Sequence, residues 1–513
     1  MHSARVIDEL QKLLGKDKVN TGEQALITYT TDFYPRNQIR KLGKQIPPNR
    51  PLAVCFPEDI TDVQRILDLC RTEEVPFVPF GAGSGVCGSA NPSEDGLVID
   101  VKRMNRILKI DPEGETVTVQ PGFIGEELEY RLNAAGYTLG HFPSSIACST
   151  VGGYVACRSA GQFSSHYGKF EDMTLGLELV LPDGTVACIG MLGNGHPRDP
   201  AMALFLGSEG TLGIVTRVLL RIAPLPEATD YRGFAFLDVD DGLACMRRIM
   251  QAGIAPTVLR LYDPLDSLIA GFHGKTADGE DIHQAVSRLT GIKKTIASVI
   301  TELNDTGIAA ALFRPGLVNR AVELLPARAL LIVGVVGKTV DITQQWDVVR
   351  SCMEASHGED LGPDPGYSWL RRRYSVSYKQ SKMFMAGAFV DTMEVATTWE
   401  NLAGLYRDVV KALSKHVFVM AHFSHAYPQG CSIYFTFAGY RPSVRAATSL
   451  YQRTWQTGLA VVNRYQATIS HHHGIGSLKR FAMGKENQGG RELFTACKEA
   501  LDPGGLMNPG KLY

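Results

Sequence analysis

The fold is decided at Pro79-Phe80-Gly81-Ala82-Gly83-Ser84-Gly85-Val86, a loop that has three glycines in five residues and follows the apolar run 75–78. Because glycine has no Cβ, such a loop can adopt positive φ and turn several N–H groups toward one point. Backbone N–H groups clustered in this way form an anion-binding nest that suits a diphosphate. On its own, the loop is equally consistent with an ordinary tight turn after a strand.

Two more clusters of glycine and hydroxyl side chains follow the first loop. They run from 143 to 153 and from 207 to 216. Three small-residue loops that enter or leave strands indicate one long polyanionic ligand lying across a common scaffold. None of them is GxGxxG between a strand and a helix, so the usual dinucleotide-fold fingerprint is absent.

The composition is that of a globular protein without a nucleic-acid footprint. The 513 residues are 44% hydrophobic and 20% charged, which is enough for two or more cores. Lys and Arg together number 52 and Asp and Glu 53, so we expect no nucleic-acid partner. Ten cysteines without a CxxC pair are typical of a cytoplasmic protein, and we see neither a signal peptide nor a membrane-spanning run. Peripheral membrane contact is compatible with this composition.

Strand and helix patterns alternate along the chain and predict an α+β fold. The residue pattern of the chain changes at the proline-bearing stretch 222–226, which we interpret as a domain boundary. We therefore expect a first domain over 1–225, a second over 226–465 with an antiparallel sheet and helices on one face, and a C-terminal segment over 466–513.

Five motifs carry a family resemblance. They are residues 79–84, Gly-His-Phe-Pro-Ser-Ser at 140–145, Ser-Thr-Val-Gly-Gly at 149–153, Gly-Ser-Glu-Gly-Thr-Leu-Gly at 207–213 and Ser-His-His-His-Gly-Ile-Gly at 470–476. Together they resemble the FAD enzymes of the vanillyl-alcohol oxidase type, and within them the alkyldihydroxyacetone-phosphate synthase branch. The resemblance runs from about residue 51 to the C-terminus. It implies an FAD domain, which the C-terminal segment completes, and a cap domain over the flavin.

The resemblance also implies that the three loops hold the diphosphate, ribityl chain and ring of FAD. The cofactor-binding residues predicted in this way are Pro79, Gly81, Ala82, Gly83, Ser84, Gly85, Val86, Pro143, Ser144, Ser145, Ser149, Thr150, Gly152, Gly153, Glu209, Gly210, Gly213 and Ile214. Some enzymes of this type attach their flavin to a histidine in the first loop. This loop has none, so we expect non-covalent FAD.

Three adjacent histidines, His471, His472 and His473, are the first candidates for chemistry. Imidazoles suit proton transfer near neutral pH, although the triplet alone could equally be a surface cluster or a metal site. On a strand, His471 and His473 would share one side and His472 would face away. The glycine-bearing stretch 474–476 favours an active site, and the resemblance makes His472 an acid–base residue.

Three further residues have both a structural and a functional interpretation. Tyr434, in the apolar run 431–435, is a core tyrosine by default, but the synthase motif has a reaction-centre tyrosine there. His141 is an ordinary turn histidine unless the Gly-His-x-Pro-x-Ser match makes it an active-site residue. Arg260, inside an apolar strand, is either paired with Asp263 or another acid, or a clamp on an anionic substrate.

Two departures from the family patterns bear on the reaction. Gln380 stands where the synthases carry an arginine that helps bind the substrate phosphate, and an amide cannot make that charged contact. Related 2-hydroxy-acid dehydrogenases hold a divalent metal with a glutamate at the place of His472 and a histidine at the place of Tyr434. We therefore expect no metal, although His422, His425 and His472 could form an unusual site.

Two reactions follow from the resemblance. In the first, the acyl group of an acyl-dihydroxyacetone phosphate, or a related keto substrate, is exchanged for a fatty alcohol through a flavin N5 adduct. In the second, an FAD-linked oxidoreductase takes hydride from a 2-hydroxy acid or alcohol. A flavin-free binding protein would need all three glycine loops to be structural. We expect a small-molecule or lipid-like substrate and a homodimer.

Overall fold

The computed structural model describes residues 2–45, 49–93, 95–270, 312–313, 315–316, 319, 328–375, 383–385, 387–486 and 489–512. Helices and mostly antiparallel sheets alternate through these ranges in two regions, which confirms the predicted two-domain α+β fold. Gln380 lies outside the described residues.

The first glycine loop leaves a small mixed sheet. Its strands are β1 (Val19–Asn20), β2 (Ala53–Cys55), β3 (Phe77–Phe80) and β4 (Leu97–Asp100). Their order is β1-β2-β4-β3, with β2, β4 and β3 parallel and β1 antiparallel to β2. Because parallel strands end at the same edge, the loop after β3 emerges beside the end of β4, where Lys102 Nζ donates to the Gly81 carbonyl over 2.8 Å.

A five-stranded antiparallel sheet completes the first region. Its strands are β5 (Ile107–Asp111), β6 (Thr116–Val119), β8 (Thr174–Val180), β9 (Val186–Gly190) and β10 (Ile214–Arg221), while β7 (Tyr137–Thr138) pairs with β11 (Ala223–Pro224). The order is β5-β6-β10-β8-β9. Alternate residues of β6 are buried, as expected for a sheet with one face on a core.

The second region is built on a seven-stranded antiparallel sheet. Its strands are β12 (Ala228–Phe236), β13 (Val258–Tyr262), β14 (Ala329–Gly337), β15 (Glu359–Asp360), β16 (Phe389–Thr398), β17 (Phe418–Ala426) and β18 (Gly430–Gly439). The order is β15-β12-β14-β13-β17-β18-β16. The apolar strand β14 lies inside the sheet, and the largest apolar core of the described residues packs against this sheet.

The helices cover these sheets. They are α1 (His2–Leu14), α2 (Glu23–Thr28), α3 (Pro35–Leu42), α4 (Ile60–Thr72), α5 (Gly125–Ala134), α6 (Val151–Cys157), α7 (Ser164–Tyr167), α8 (Phe170–Met173), α9 (Met202–Phe205), α10 (Val239–Gln251), α11 (Pro264–Ala270), α12 (Thr339–Glu354), α13 (Asp364–Arg372), α14 (Trp399–Leu413), α15 (Val444–Arg464), α16 (Arg480–Glu486) and α17 (Gly490–Leu501). Asp59 caps α4 and Asp238 caps α10, each by accepting a backbone N–H of the first turn. Among the described residues, no helix is long and apolar enough to cross a membrane.

The C-terminal segment returns to the first region. Met507 forms a parallel bridge with Phe77 of β3, so the chain end extends that small sheet. Asn508 Nδ2 donates to the carbonyls of Ser89 and Glu209 over 3.0 and 2.7 Å. These contacts tie the tail to the third glycine loop and to the segment just after the first one.

Candidate active site

Strand register places five side chains on one face of the large sheet. Tyr434 of β18 pairs with Glu394 of β16 on one side and with His422 of β17 on the other. His422 in turn pairs with Tyr262 of β13. Directly paired residues share a face, as do residues two apart on a strand, so Arg260 joins the same face.

The Tyr434 phenol is the centre of a hydrogen-bonded chain. Its oxygen lies 2.7 Å from His472 Nε2 and 2.9 Å from His425 Nε2. The Nδ1 atoms of His472 and His471 are 2.9 Å apart, and His471 Nε2 is 3.1 Å from the Tyr427 hydroxyl. At the other end, His425 Nδ1 is 2.6 Å from Ser164 Oγ of α7. We call these six side chains the relay.

Protons can be placed along the relay in one consistent direction. If Ser164 donates to His425, then His425 donates to Tyr434, Tyr434 to His472, His472 to His471 and His471 to Tyr427. The reverse order satisfies the same six groups. Because each neutral imidazole has one N–H and one acceptor nitrogen, every nitrogen of this chain is used in either direction. The geometry can therefore pass a proton by shifting each hydrogen bond once.

The prediction that the triplet lies on a strand, with His472 facing away from His471 and His473, is wrong. Residues 471–473 form a bend, and their three backbone N–H groups all point at the carboxylate of Glu394, at 3.0 to 3.4 Å. The next glycine, Gly474, has φ of 84°, which a strand does not permit. As a result the three rings lie together: the His471 and His473 ring centres are 5.2 and 4.8 Å from that of His472, and His472 and His473 are 5.6 and 5.5 Å from the Tyr434 ring centre.

Glu394 is the charge that organises the triplet. Its side chain has 0% exposed surface, and His472 Nδ1 and His471 Nδ1 lie 3.4 and 3.8 Å from its Oε1. Burial opposes ionisation of this carboxyl, but the histidine cluster, led by His472, holds the pKa of Glu394 well below its usual range. The site therefore contains one buried negative charge facing three imidazoles.

Three imidazoles of the site, those of His471, His473 and His425, are neutral at physiological pH. Burial, reinforced by His472, lowers the pKa of His471 and of His473 to about 3. Burial likewise holds the pKa of His425 well below its usual value. Burial raises the pKa of the Tyr434 phenol well above 10, so the hydroxyl keeps its proton. His473 Nδ1 is buried without a hydrogen-bond partner.

Arg260 contacts a histidine rather than the aspartate considered in the sequence. Its Nη2 donates to His422 Nε2 over 2.7 Å, and His422 Nδ1 is 2.9 Å from Asp266 Oδ2 on α11. Asp263 is occupied elsewhere, since it accepts the backbone N–H groups of Asp266 and Ala421. The Arg260 Nε is buried without a partner, which leaves one edge of this guanidinium available to an anion.

His141 lies outside the relay. Its ring packs 4.6 Å from Tyr154 and 5.0 Å from Phe170, and its Nε2 is hydrogen-bonded to Ser159 over 3.1 Å. Burial and the nearby His472 lower the pKa of His141 to about 3. Its Nδ1 is buried without a partner. The structure thus places His141 near the triplet, in an aromatic setting, without joining it to Tyr434.

The first glycine loop fits a bound diphosphate. Within the described residues, the backbone N–H groups of 82–86 donate no hydrogen bond to the protein. Gly83 has φ of 63°, and a Cβ built on Gly81 would lie 2.3 Å from Thr150 Oγ1 of the second loop. A run of unpaired N–H groups in a cradle that a side chain would fill is what an anion nest requires. The loop therefore suits the phosphates of FAD.

Several predicted cofactor residues have structural contacts of their own. The Glu209 carboxylate is buried and accepts the backbone N–H groups of Ile475 and Gly476 and the Ser89 hydroxyl. A Cβ on Gly152 would meet Pro121, and one on Gly213 would meet Leu179, each at 2.8 Å. Glu209 therefore ties the third glycine loop to the residues that follow the histidine bend, and the two glycines allow close packing of neighbouring segments.

One group in the described part of the chain has metal-ligand spacing, and it is not the set considered in the sequence. Glu394, His471 and His472 offer ligand atoms within 4.8 Å of one another. Backbone N–H groups already occupy the Glu394 oxygens, and the two Nδ1 atoms are at hydrogen-bond distance. We interpret the group as part of the relay's support.

Sequence reasoning missed the residues that hold the site together. They are Glu394, Asp266, Ser164 and Tyr427. Glu394 carried a usable signal, because a carboxylate between Met393 and Val395 in an apolar strand must be paired. The other three had no local signal, since their partners lie far away along the chain.

Fold, nest and relay together define a flavin-dependent enzyme. The FAD binding domain model matches residues 51–190, and the model for the C-terminal domain of FAD linked oxidases matches residues 225–512. The chain therefore belongs to the FAD-linked oxidase family, with FAD as its cofactor.

Two curated relatives show the breadth of this family. The chain is 29% identical over 529 residues to the alkyldihydroxyacetonephosphate synthase of Dictyostelium discoideum, covering 99% of this chain and 80% of the relative. It is 27% identical over 522 residues to YgcU, an uncharacterised FAD-linked oxidoreductase of Escherichia coli, covering 99% and 98%.

Solved structures agree with the fold. An alkyldihydroxyacetonephosphate synthase matches with a TM-score of 0.75 at 24% identity, covering 98% of this chain and 84% of the other. The 4-ethylphenol oxidase of Gulosibacter chungangensis matches with a TM-score of 0.76 at 18% identity, covering 100% and 97%. Both the vanillyl-alcohol-oxidase-type fold and the resemblance to the synthase are confirmed.

Proposed function

We propose that this flavoenzyme exchanges the acyl group of an acyl-dihydroxyacetone phosphate, or of a related keto substrate, for a fatty alcohol. The observation that carries the proposal is the Tyr434 phenol, held at 2.7 Å from His472 and at 2.9 Å from His425. An exchange of this kind has no net redox change and needs protons to be moved at the reacting centre. Two relatives that match 99% of this chain over 80% of their own length are named alkyldihydroxyacetonephosphate synthases.

The three glycine loops would hold FAD, whose ring supplies an electron-accepting centre to the site. Pro79, residues 81–86 and the predicted residues within 143–153 and 209–214 would line this cradle. The unpaired N–H groups of 82–86 would bind the diphosphate. The absence of a histidine from the first loop supports non-covalent attachment.

Tyr434 and His472 would move the proton, and Arg260 would hold the anion. The phenol is neutral, and its two imidazole neighbours can take its proton or return it through the relay. His471 and His473 would keep the local charge low because both are neutral at pH 7. The unpaired Nε of Arg260 would bind an oxyanion in the fork geometry that guanidinium provides.

A second function is an FAD-linked oxidoreductase that acts on a 2-hydroxy acid or alcohol. Gln380 favours it, because a neutral amide replaces the arginine that the synthases use for phosphate. In that function the same phenol and imidazole would remove the hydroxyl proton of the substrate. Arg260 would then bind a carboxylate rather than a phosphate.

An anaerobic experiment separates the two functions. The FAD-loaded protein is mixed with an acyl-dihydroxyacetone phosphate and a long-chain alcohol, and in parallel with D-2-hydroxy acids. Ether product and free fatty acid, without bleaching of the flavin absorbance, are expected for the exchange reaction. Bleaching by a hydroxy acid, with no ether product, would refute the exchange and support the oxidoreductase.

A further inference from the structure

Arg373 occupies an aromatic box at the end of α13. Its guanidinium carbon lies 5.0 Å from the ring centre of Phe142, 4.9 Å from that of Phe163 and 4.8 Å from that of Tyr374. Its Nη2 donates to the Tyr374 hydroxyl over 3.0 Å. The Nε is buried and has no hydrogen-bond partner. The rings therefore hold this guanidinium in place, while its Nε edge has no acceptor among the described residues.

Within the described part of the chain, this cation has no counter-charge. Among the residues that the structure describes, no carboxylate forms an ion pair with Arg373. Removing a guanidinium from water is costly, and three aromatic faces recover only part of that cost. An oxyanion would supply the missing acceptor and the missing charge at once, in the bidentate geometry that favours arginine over lysine.

Two aromatic residues of this box are sequence neighbours of residues in the candidate active site. Phe142 follows His141 in the second glycine-bearing stretch, and Phe163 precedes Ser164, which hydrogen-bonds His425 of the relay. The rings of Phe142 and Phe163 are 4.8 Å apart. Gln162 joins the two sides, since its Nε2 contacts the Arg373 carbonyl at 3.4 Å and Ser144 Oγ at 3.5 Å. A group bound to Arg373 would lie next to the side chains that position Tyr434.

We propose that Arg373, in addition to Arg260, recognises the anionic group of the substrate in this chain. The group is a small oxyanion, either a phosphate ester or a carboxylate, and its acceptors would bind the Nε edge of the guanidinium. This inference rests on the proposed function, because it assigns the anion of that substrate. Arg260, whose Nη2 donates to His422 and whose Nε is unpaired, is the other cation of the site.

Calorimetric titration of the FAD-loaded protein tests the assignment without using turnover. The probes are inorganic phosphate and oxalate, with glycerol as the neutral comparison. The variants are R373Q, R373K and R371Q. The last removes a charge from an exposed position on the same helix and is the matched control. Flavin absorbance and the unfolding midpoint show that each variant is folded.

Wild type is expected to bind at least one of the two anions but not glycerol. R373Q should weaken that binding by about tenfold to a hundredfold, R373K by less, and R371Q by less than about twofold. If R373Q does not fold, the anion affinity of R373K tests the proposal alone. This variant keeps the positive charge and loses only the bidentate donor geometry of the guanidinium. Unchanged affinity in the folded Arg373 variant, an equal loss in R371Q, or no anion binding to wild type would overturn the proposal.

The same titration separates this inference from the proposed function. Ether formation by wild type, together with full anion affinity in R373Q, would refute the role of Arg373 and leave the exchange reaction intact. Flavin bleaching by hydroxy acids, together with oxalate affinity lost in R373Q, would refute the exchange and uphold Arg373 as an anion-binding residue. Preference for phosphate or for oxalate assigns the class of anion.

Discussion

Replacing Glu394 by glutamine should destabilise the protein and change its pH dependence. The carboxylate is fully buried and accepts the backbone N–H groups of His471, His472 and His473. Glutamine has the same shape, but it loses the charge and turns an N–H₂ group toward those donors. Breaking a buried charge network of this kind costs about 3–5 kcal/mol. One acceptor oxygen survives in E394Q, so we expect the lower end, about 3 kcal/mol or roughly a hundredfold in the unfolding equilibrium.

The pH range of this loss follows from the direction of the pKa shift. The pKa of Glu394 is lowered in the folded state, because the histidine cluster outweighs the effect of burial. A lowered folded pKa contributes stability that is present above the unfolded value of about 4.3 and is lost as pH falls through the folded value. The difference between wild type and E394Q should therefore be complete at pH 7 and decrease only in strong acid.

The assay is urea unfolding of the FAD-loaded protein at pH 7 and at pH 5, combined with the pH profile of kcat/KM. E394D, which keeps the charge, should recover part of the stability. The control is E400Q, which removes a carboxylate from an exposed position six residues away on α14. In E394Q the acid limb of the profile should move to lower pH, since protonation of the adjacent imidazoles loses its counter-charge. Stability within about 0.5 kcal/mol of wild type, with an unmoved acid limb, would refute the role of Glu394.

Two further outcomes are expected. Y434F should lower the rate of the reaction by about a hundredfold to ten-thousandfold while flavin absorbance is retained, because it removes the hydroxyl between His425 and His472. Y440F, outside the relay, is its control, and an active Y434F would show that the phenol does not move the proton. G81A should weaken FAD binding by about tenfold or more, since its Cβ would lie 2.3 Å from Thr150 Oγ1. G484A has open space around its Cβ, so flavin content that falls equally in both variants would contradict the cradle.

The fold could be read from the sequence because its signals are local. Three glycine-rich loops beside strands predicted a polyanion cradle, and the unpaired N–H groups of 82–86 agree with that prediction. Alternation of strands and helices predicted the two-domain α+β architecture, which the structure confirms. The assignment of individual cofactor and catalytic residues remains a prediction, as do the domain boundaries.

The arrangement of the site could not be read in the same way, because it depends on contacts between distant residues. Glu394 and His471 are separated by 77 positions, and Ser164 and His425 by 261. The strand model of the triplet failed because a carboxylate from another strand draws three successive N–H groups to one point. Positive φ at Gly474 and Gly476 allows that bend. For Arg260 the sequence left open a pair with Asp263 or another acid, or a clamp on an anion; register between β13 and β17 brings it to His422.

The charge balance of the site explains why so many imidazoles can be packed together. His471, His473 and His425 are buried and neutral at pH 7, so they do not repel one another. Glu394 offers one negative charge, which can balance one additional proton on the cluster and no more. A site with this balance is suited to passing a single proton between a phenol and an imidazole. Two protons would leave an uncompensated buried charge, which is the costly state that the arrangement excludes.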